Sequence, residues 1–91
     1  MVTLAEAKAQ VRVDVDYLGE DNLLLDLISS AEAVVLRLAS VSIEEEFDEQ
    51  ELCIAKRATL LLVDHYYTGG QLDETPAGVV SLCRLIQRFG R

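Results

Sequence analysis

Residues 48–70 have the sequence DEQELCIAKRATLLLVDHYYTGG, an apolar segment with a helix start signal at one end and a stop signal at the other. Asp48 and Glu51 form a capping box, in which each side chain accepts a hydrogen bond from the other residue's backbone N–H. Either glycine at 69–70 can adopt the left-handed conformation that ends a helix. We therefore predict a helix from Asp48 to about Tyr67.

Apolar side chains surround nearly all of this predicted helix. At about 100° per residue, one face carries Ile54, Ala55, Ala58, Leu61, Leu62, His65 and Tyr66, and the far side carries Leu52, Cys53, Leu60, Val63 and Tyr67 around Lys56. In so small a protein, such a helix is either the central element of the fold or has its second face covered by another subunit.

A second apolar segment, residues 22–38, also predicts a helix. Its main stripe consists of Leu24, Leu27, Ile28, Ala31, Val35 and Leu38, which Leu23 and Val34 widen on one side and Leu25 and Leu36 on the other. The apolar arc spans about 220°, interrupted by Glu32, whereas a surface helix of a monomer needs an arc of about 100° to 140°. We therefore expect this helix to have more than one packing partner.

A short N-terminal helix precedes these two. Thr3 and Glu6 form a second capping box, which opens a helix over about residues 3–11. Residues 12–20 are rich in β-branched and turn residues and form a connector that leads to Asp21, a good N-cap.

The last helix is predicted to begin with Thr75 as the N-cap and Pro76 as the first helical residue, to reach about Phe89 and to end at Gly90. Its inward residues are Val79, Leu82, Cys83, Leu85, Ile86 and Phe89, and its outward residues are Arg84, Gln87 and Arg88.

Length and composition limit the fold to one small domain. The chain has 91 residues, of which 51% are hydrophobic, and a domain of this size has a thin core. Residues 1–91 are therefore predicted to form a single all-α domain, a small bundle of three main helices plus a short N-terminal helix. The longest apolar run, at residues 60–63, is too short to cross a membrane, so we expect a soluble, intracellular protein.

Acidic side chains outnumber basic ones by 16 to 8, and the formal charge of −8 opposes binding to nucleic-acid phosphates and to anionic lipids. Residues 76–91 contain arginines and no acid. Six acids lie between residues 44 and 51, and they form either a solvated loop or a contact surface. The arginines either favour the C-terminus of a helix or meet an acidic surface on another molecule, as in a head-to-tail contact that closes rings.

Catalytic and metal-binding patterns are sparse. His65 lies on an apolar stripe, which is typical of a core or interface histidine with one hydrogen bond. Cys53 and Cys83 lack CxxC spacing, which favours buried free thiols. Together these three residues provide too few ligands for a structural zinc site. We predict no enzyme activity, no catalytic or metal site and no cofactor.

Several segments resemble the tailed-phage head-tail connector family, also called adaptor or head-completion proteins, which attach below the portal. The segment TLAEAKAQVRVD at 3–14 is similar to the start of that family, and DNLLLDLISSAEAVV at 21–35 to its first long helix. The segments ATLLLVDHYY at 58–67 and TPAGVVSL at 75–82, together with the terminal arginine, resemble its second half. The similarity covers nearly the whole chain.

This resemblance implies a structural protein of a phage or prophage that assembles as a dodecameric ring. The ring would contact the portal protein and the tail or stopper proteins, and would form part of the channel through which DNA passes without specific binding. Its location would be the head-tail junction of the virion, and the host cytoplasm before assembly. A low affinity for phosphate suits such a channel wall.

Within this hypothesis we predict two sets of contact residues. The apolar subunit interface consists of Leu25, Leu36, Leu52, Leu60, Val63 and Tyr67. The electrostatic contacts, between neighbours or toward portal and tail, consist of Glu44, Glu45, Glu46, Asp48, Glu49, Arg84, Arg88 and Arg91.

Two other functions stay open. The chain could be a small acidic helical binding module, antitoxin-like or regulatory, that sequesters a basic protein partner through residues 44–51. It could also be an enzyme that uses His65 with neighbouring acids.

Overall fold

The computed structural model describes residues 1–71 and 73–88 and is all-helical within them. Its four α-helices are α1 (Leu4–Gln10), α2 (Asp21–Leu38), α3 (Glu49–Tyr67) and α4 (Ala77–Leu85). A 3-10 turn, Glu44–Glu46, lies between α2 and α3, and the described part of the chain contains no strand. The prediction of an all-α fold is confirmed.

Helix α3 occupies the centre of the fold and packs against α1, α2 and α4. Its fully buried residues include Ala55, Ala58 and Leu62. The opposing core residues are Ala7 of α1, Leu24, Ile28, Ala31 and Val35 of α2, and Val79 and Cys83 of α4. The apolar circumference of α3 thus follows from its central position within one chain.

Both predicted capping boxes are confirmed. The Glu6 backbone N–H donates to Thr3 Oγ1 at 3.1 Å, and the Thr3 N–H donates to Glu6 Oε1 at 2.9 Å. The same reciprocal bonds join Asp48 and Glu51, at 2.8 and 3.0 Å. Each pair satisfies two backbone donors that a helix start otherwise leaves without partners.

Helix α3 ends in the predicted glycine pair, through a Schellman motif. Gly69 has a φ of +96°, and its N–H donates to the Tyr66 carbonyl at 3.2 Å. The Gly70 N–H donates to the His65 carbonyl at 2.8 Å, which completes the motif. A Cβ on Gly70 would lie 2.3 Å from the His65 ring, so this position also requires glycine for space.

Helix α2 begins differently from the prediction. Asp21 is the first helical residue rather than the N-cap, and Glu20 occupies the cap position without a capping side-chain hydrogen bond. The Asp21 carboxylate instead forms an ion pair with Lys8 of α1 at 2.7 Å. The Asp21 side chain therefore binds a residue of another helix instead of capping α2.

Helix α4 is shorter than predicted. Pro76 is the N-cap rather than the first helical residue, and the helix ends at Leu85. The Arg88 N–H then donates to the Ala39 carbonyl at 2.8 Å, which directs the chain onto the end of α2. The predicted helix end at residues 89–90 lies outside the described residues.

Leu85 was predicted to face inward, and this is wrong. Its side chain is 72% exposed, whereas Val79, Cys83 and Ile86 are buried. Leu85 lies two positions after Cys83, about 200° around the helix, and therefore faces away from the core.

One of the two predicted buried thiols is exposed. Cys83 is buried, and burial raises the pKa of its thiol to about 11. Cys53 lies on the exposed surface of α3, so the prediction is wrong for this residue. Both thiols are free.

Candidate interaction surfaces

The acidic segment, residues 44–51, leads from α2 into α3, and most of its carboxylates make contacts within the chain. Glu44 lies 3.0 Å from the Met1 ammonium, and Glu46 accepts a hydrogen bond from the Ser42 N–H at 3.3 Å. Asp48 caps α3. Of the predicted contact acids, Glu45 and Glu49 are exposed and make no ion pair among residues 1–71 and 73–88. These two acids are thus the ones available to a partner.

Arg88 was predicted to contact a neighbouring molecule, but it serves its own chain. Its guanidinium binds both carboxylate oxygens of Glu51 and donates to the Glu46 carbonyl at 3.0 Å. The Arg88 guanidinium, helped by the Asp48 N–H, lowers the pKa of Glu51 to about 2. This contact joins the segment after α4 to the start of α3, and the predicted contact of Arg88 with a neighbouring molecule stays a prediction.

Arg84 is the predicted electrostatic contact on α4 that stays available. It is exposed, and within the described part of the chain no acid pairs with it. Arg91, the third predicted arginine, lies outside the described residues.

Val63 was predicted to face another subunit, and this is also wrong. Its side chain is 0% exposed. Helix α1 covers this side of α3, since Lys56 pairs with Glu6 at 2.8 Å and the Thr59 hydroxyl lies 3.5 Å from Met1 Sδ. Val63 is seven residues after Lys56 and shares the covered side.

The other predicted interface residues keep some accessible surface. Leu25 on α2 is 48% exposed. Three leucines and a tyrosine are partly buried against the core: Leu36, Leu52, Leu60 and Tyr67. The Tyr67 hydroxyl also hydrogen-bonds the Glu20 carboxylate, and this bond raises the pKa of the phenol. Leu25 is therefore the most exposed of these residues.

Sequence reasoning missed a buried lysine that organises the connector before α2. Lys8 is 3% exposed, and its ammonium donates to the carbonyls of Val15 at 3.1 Å and Tyr17 at 2.8 Å. The same ammonium pairs with Asp21. Lys8 lies between Leu4 and Val11 at helical spacing, and this position on the apolar stripe was the available signal.

An open cleft of about 210 Å³ lies between α2 and the acidic segment. Its apolar lining consists of Met1, Leu36 and Ile43, and its acidic lining of Glu32, Glu44 and Glu45. We call this feature the acidic cleft.

The Met1 ammonium forms one edge of the acidic cleft, 3.2 Å from Glu32 and 3.0 Å from Glu44. Burial lowers the pKa of this ammonium, but hydrogen bonds to the two carboxylates outweigh that effect and raise it overall. Since three carboxylates and one ammonium line the acidic cleft, it keeps a net negative charge.

Large apolar side chains remain exposed on several elements. They are Val15, Tyr17 and Leu18 of the connector, Leu23 and Leu25 of α2, Ile43 and Leu85. Single exposed leucines are ordinary on proteins. The described residues expose seven such side chains, spread over the connector, α2, the segment after α2 and α4.

His65 lies at the C-terminal end of α3. Its ring lies against Tyr66, with ring centroids 5.7 Å apart, and Gly70 approaches it closely. Nε2 is buried and makes no hydrogen bond with the described residues. The one hydrogen bond expected for this ring is therefore not made at Nε2.

Within residues 1–71 and 73–88, no group of three or more His, Cys, Asp or Glu side chains is placed to hold a metal ion. No helix of the described residues is both long and apolar enough to cross a membrane.

Comparisons of the chain with protein-family models, with curated proteins and with solved structures gave no match.

Proposed function

We propose that this protein is a structural, ring-forming head-tail connector of a tailed phage or prophage. Several copies sit below the portal and line part of the channel through which DNA passes. The observation that carries the proposal is the exposed apolar surface on a domain whose core is already complete. Leu85 and Leu18 are each 72% exposed, and burial of such side chains favours association with neighbours.

The sequence resemblance supports the same function, because its segments cover α1, most of α2, the second half of α3 and the start of α4.

Charge also fits a channel wall. The formal charge of −8 repels DNA phosphates, whereas a basic lining would bind them with release of counterions and slow their passage. An exposed acid such as Glu49 can lie along a channel without holding DNA.

The alternative, a module that sequesters a basic partner through residues 44–51, has weaker support. Glu44, Glu46, Asp48 and Glu51 all make contacts within the chain. A basic partner would have to compete with these contacts, and few carboxylates would remain for it.

Electron microscopy tests the proposal. The protein is mixed with particles of the portal protein encoded by the same genome, and portal particles alone serve as the control. We expect an additional ring stacked coaxially on the portal. Portal particles without added density, together with a one-to-one complex of this chain with a basic protein, would reject the connector function in favour of the binding module.

A further inference from the structure

Helix α4 presents an apolar side chain beside an unpaired cation. Leu85 is 72% exposed, and the adjacent Arg84 is exposed with no ion pair in residues 1–71 and 73–88. No acidic residue occurs in residues 76–91. This part of the surface therefore combines an apolar protrusion with positive charge.

The acidic cleft has the opposite properties. Its lining includes the apolar side chains of Leu36 and Ile43 and the exposed carboxylate of Glu45, which makes no ion pair within residues 1–71 and 73–88. Its volume is about 210 Å³, and an apolar cavity of about 150 Å³ already accommodates a benzene molecule. A leucine side chain therefore fits into the cleft, and an adjacent arginine could reach the carboxylate at its rim.

The other exposed apolar groups fit the acidic cleft less well. Val15, Tyr17 and Leu18 belong to a connector that also carries Asp14 and Asp16. On α2, Leu23 lies three positions before Asp26, and Leu25 directly precedes it. Since carboxylates beside these side chains would meet the carboxylates of the cleft, like charges oppose both contacts. Leu85 lacks this conflict.

We propose that Leu85 and Arg84 of one copy dock into the acidic cleft of a second copy, with Leu85 against Leu36 and Ile43 and Arg84 against Glu45. The two surfaces lie on different elements of one chain, so each copy can give one contact and receive another. Such a head-to-tail contact generates a ring when its rotation closes. This inference rests on the proposed connector function, since it names the contact by which the ring would assemble.

Cross-linking between copies tests the contact without replacing the residues that make it. Ser42 lines the cleft, and Ser81 lies one turn before Leu85; both are exposed. The variants Ser42→Cys and Ser81→Cys are made in a Cys53→Ser background and treated with a short bis-maleimide, with and without portal particles. In the control, the cysteine is placed at Ser30, on another side of α2, instead of at Ser42.

We expect a mixture of the two single-cysteine chains to give a cross-linked dimer. A chain that carries both cysteines should give a ladder beyond the dimer, because the contact is head-to-tail. The Ser30→Cys control should stay monomeric. Absence of the specific dimer would overturn the proposed contact.

Charge and apolar variants give an independent readout. Arg84→Glu and Leu85→Ser should each lower the cross-linking yield at limiting concentration about tenfold. Glu45→Arg should restore the yield of Arg84→Glu, because the pair is then reversed. These positions are exposed, so circular dichroism should show unchanged helix content. Failure of the reversed pair to recover would refute the assigned partners.

The two proposals fail in different ways. Rings on the portal without the cross-link would disprove this contact and leave the connector function standing. Cross-linking without rings on the portal would support the contact and disprove the connector function.

Discussion

The buried ammonium of Lys8 provides the strongest prediction about stability. Lys8 is 3% exposed and holds two carbonyls of the connector, while its ion pair with Asp21 holds the start of α2. The variant Lys8→Met keeps most of the apolar stem and removes only the charge and the three contacts. The packing of the stem is thereby separated from the chemistry of the ammonium.

The expected loss follows from these contacts. A fully buried carbonyl left without a donor costs about 1–3 kcal/mol, and the carbonyls of Val15 and Tyr17, which are only partly buried, lose less. Asp21 is 27% exposed and regains part of its hydration, so its contribution is smaller. Breaking a buried pair by removal of one partner generally costs about 3–5 kcal/mol. We expect Lys8→Met to lower the free energy of unfolding by about 3 kcal/mol.

Urea unfolding followed by circular dichroism measures this loss. With a slope of about 1.5 kcal/mol/M for a small domain, the midpoint should fall by about 2 M at unchanged slope. Lys56→Met is the matched control, because Lys56 makes one ion pair, with Glu6, and both partners are more than one-third exposed. That exposed pair should matter little. Equal midpoint shifts for the two variants would refute the reasoning.

Three further predictions concern acid, packing and thiol reactivity. Because the pKa of Glu51 is held at about 2, below its ordinary 4.5, the carboxylate stabilises the fold fully above pH 4.5, and this contribution is lost as the pH falls toward 2. The difference in urea midpoint between wild type and Glu51→Gln should therefore shrink over that range, and a difference that stays constant would contradict the lowered pKa of Glu51. Leu62→Ala should lower the free energy of unfolding by about 3–5 kcal/mol, because Leu62 is fully buried in α3; a loss below about 1 kcal/mol in thermal unfolding would be inconsistent with its position. With a chromogenic disulfide reagent at pH 8, Cys53 should react at once and Cys83 only after unfolding, whereas two equally fast thiols would show that Cys83 is accessible.

The local features of this fold could be predicted from the sequence because they depend on residues a few positions apart. Thr3 with Glu6, and Asp48 with Glu51, satisfy each other's backbone groups within one turn. The glycine pair at 69–70 ends α3 for an equally local reason. The all-α fold class followed from helical spacing of apolar residues, which needs no knowledge of the neighbours.

The long-range contacts could not be predicted in the same way. Arg88 binds Glu51, which is 37 positions away in the sequence, and periodicity does not select such partners. Val63 was assigned to a subunit interface because periodicity does not show that α1 covers this side of α3. The buried position of Lys8 was hidden for a similar reason, because a lysine is ordinarily expected at the surface.

For residues 44–51 and for the arginines after residue 75, the sequence showed which charges are present but not which of them are already paired within the chain. It located the acids of residues 44–51 and the arginines of the last segment. Whether an acid is free depends on neighbours such as the Met1 ammonium, which engages Glu44 and leaves Glu45 exposed. Leu85 was assigned to the core, although its exposure makes it a candidate for contact with another copy.

Native mass spectrometry of the portal particle after incubation with this protein measures the assembly most directly. At saturation, the account predicts that the particle gains the mass of a full ring of 10.1 kDa copies, twelve if the ring matches the family resemblance, rather than that of a partly filled ring. An unchanged particle mass, or the addition of a single copy, would contradict ring assembly on the portal.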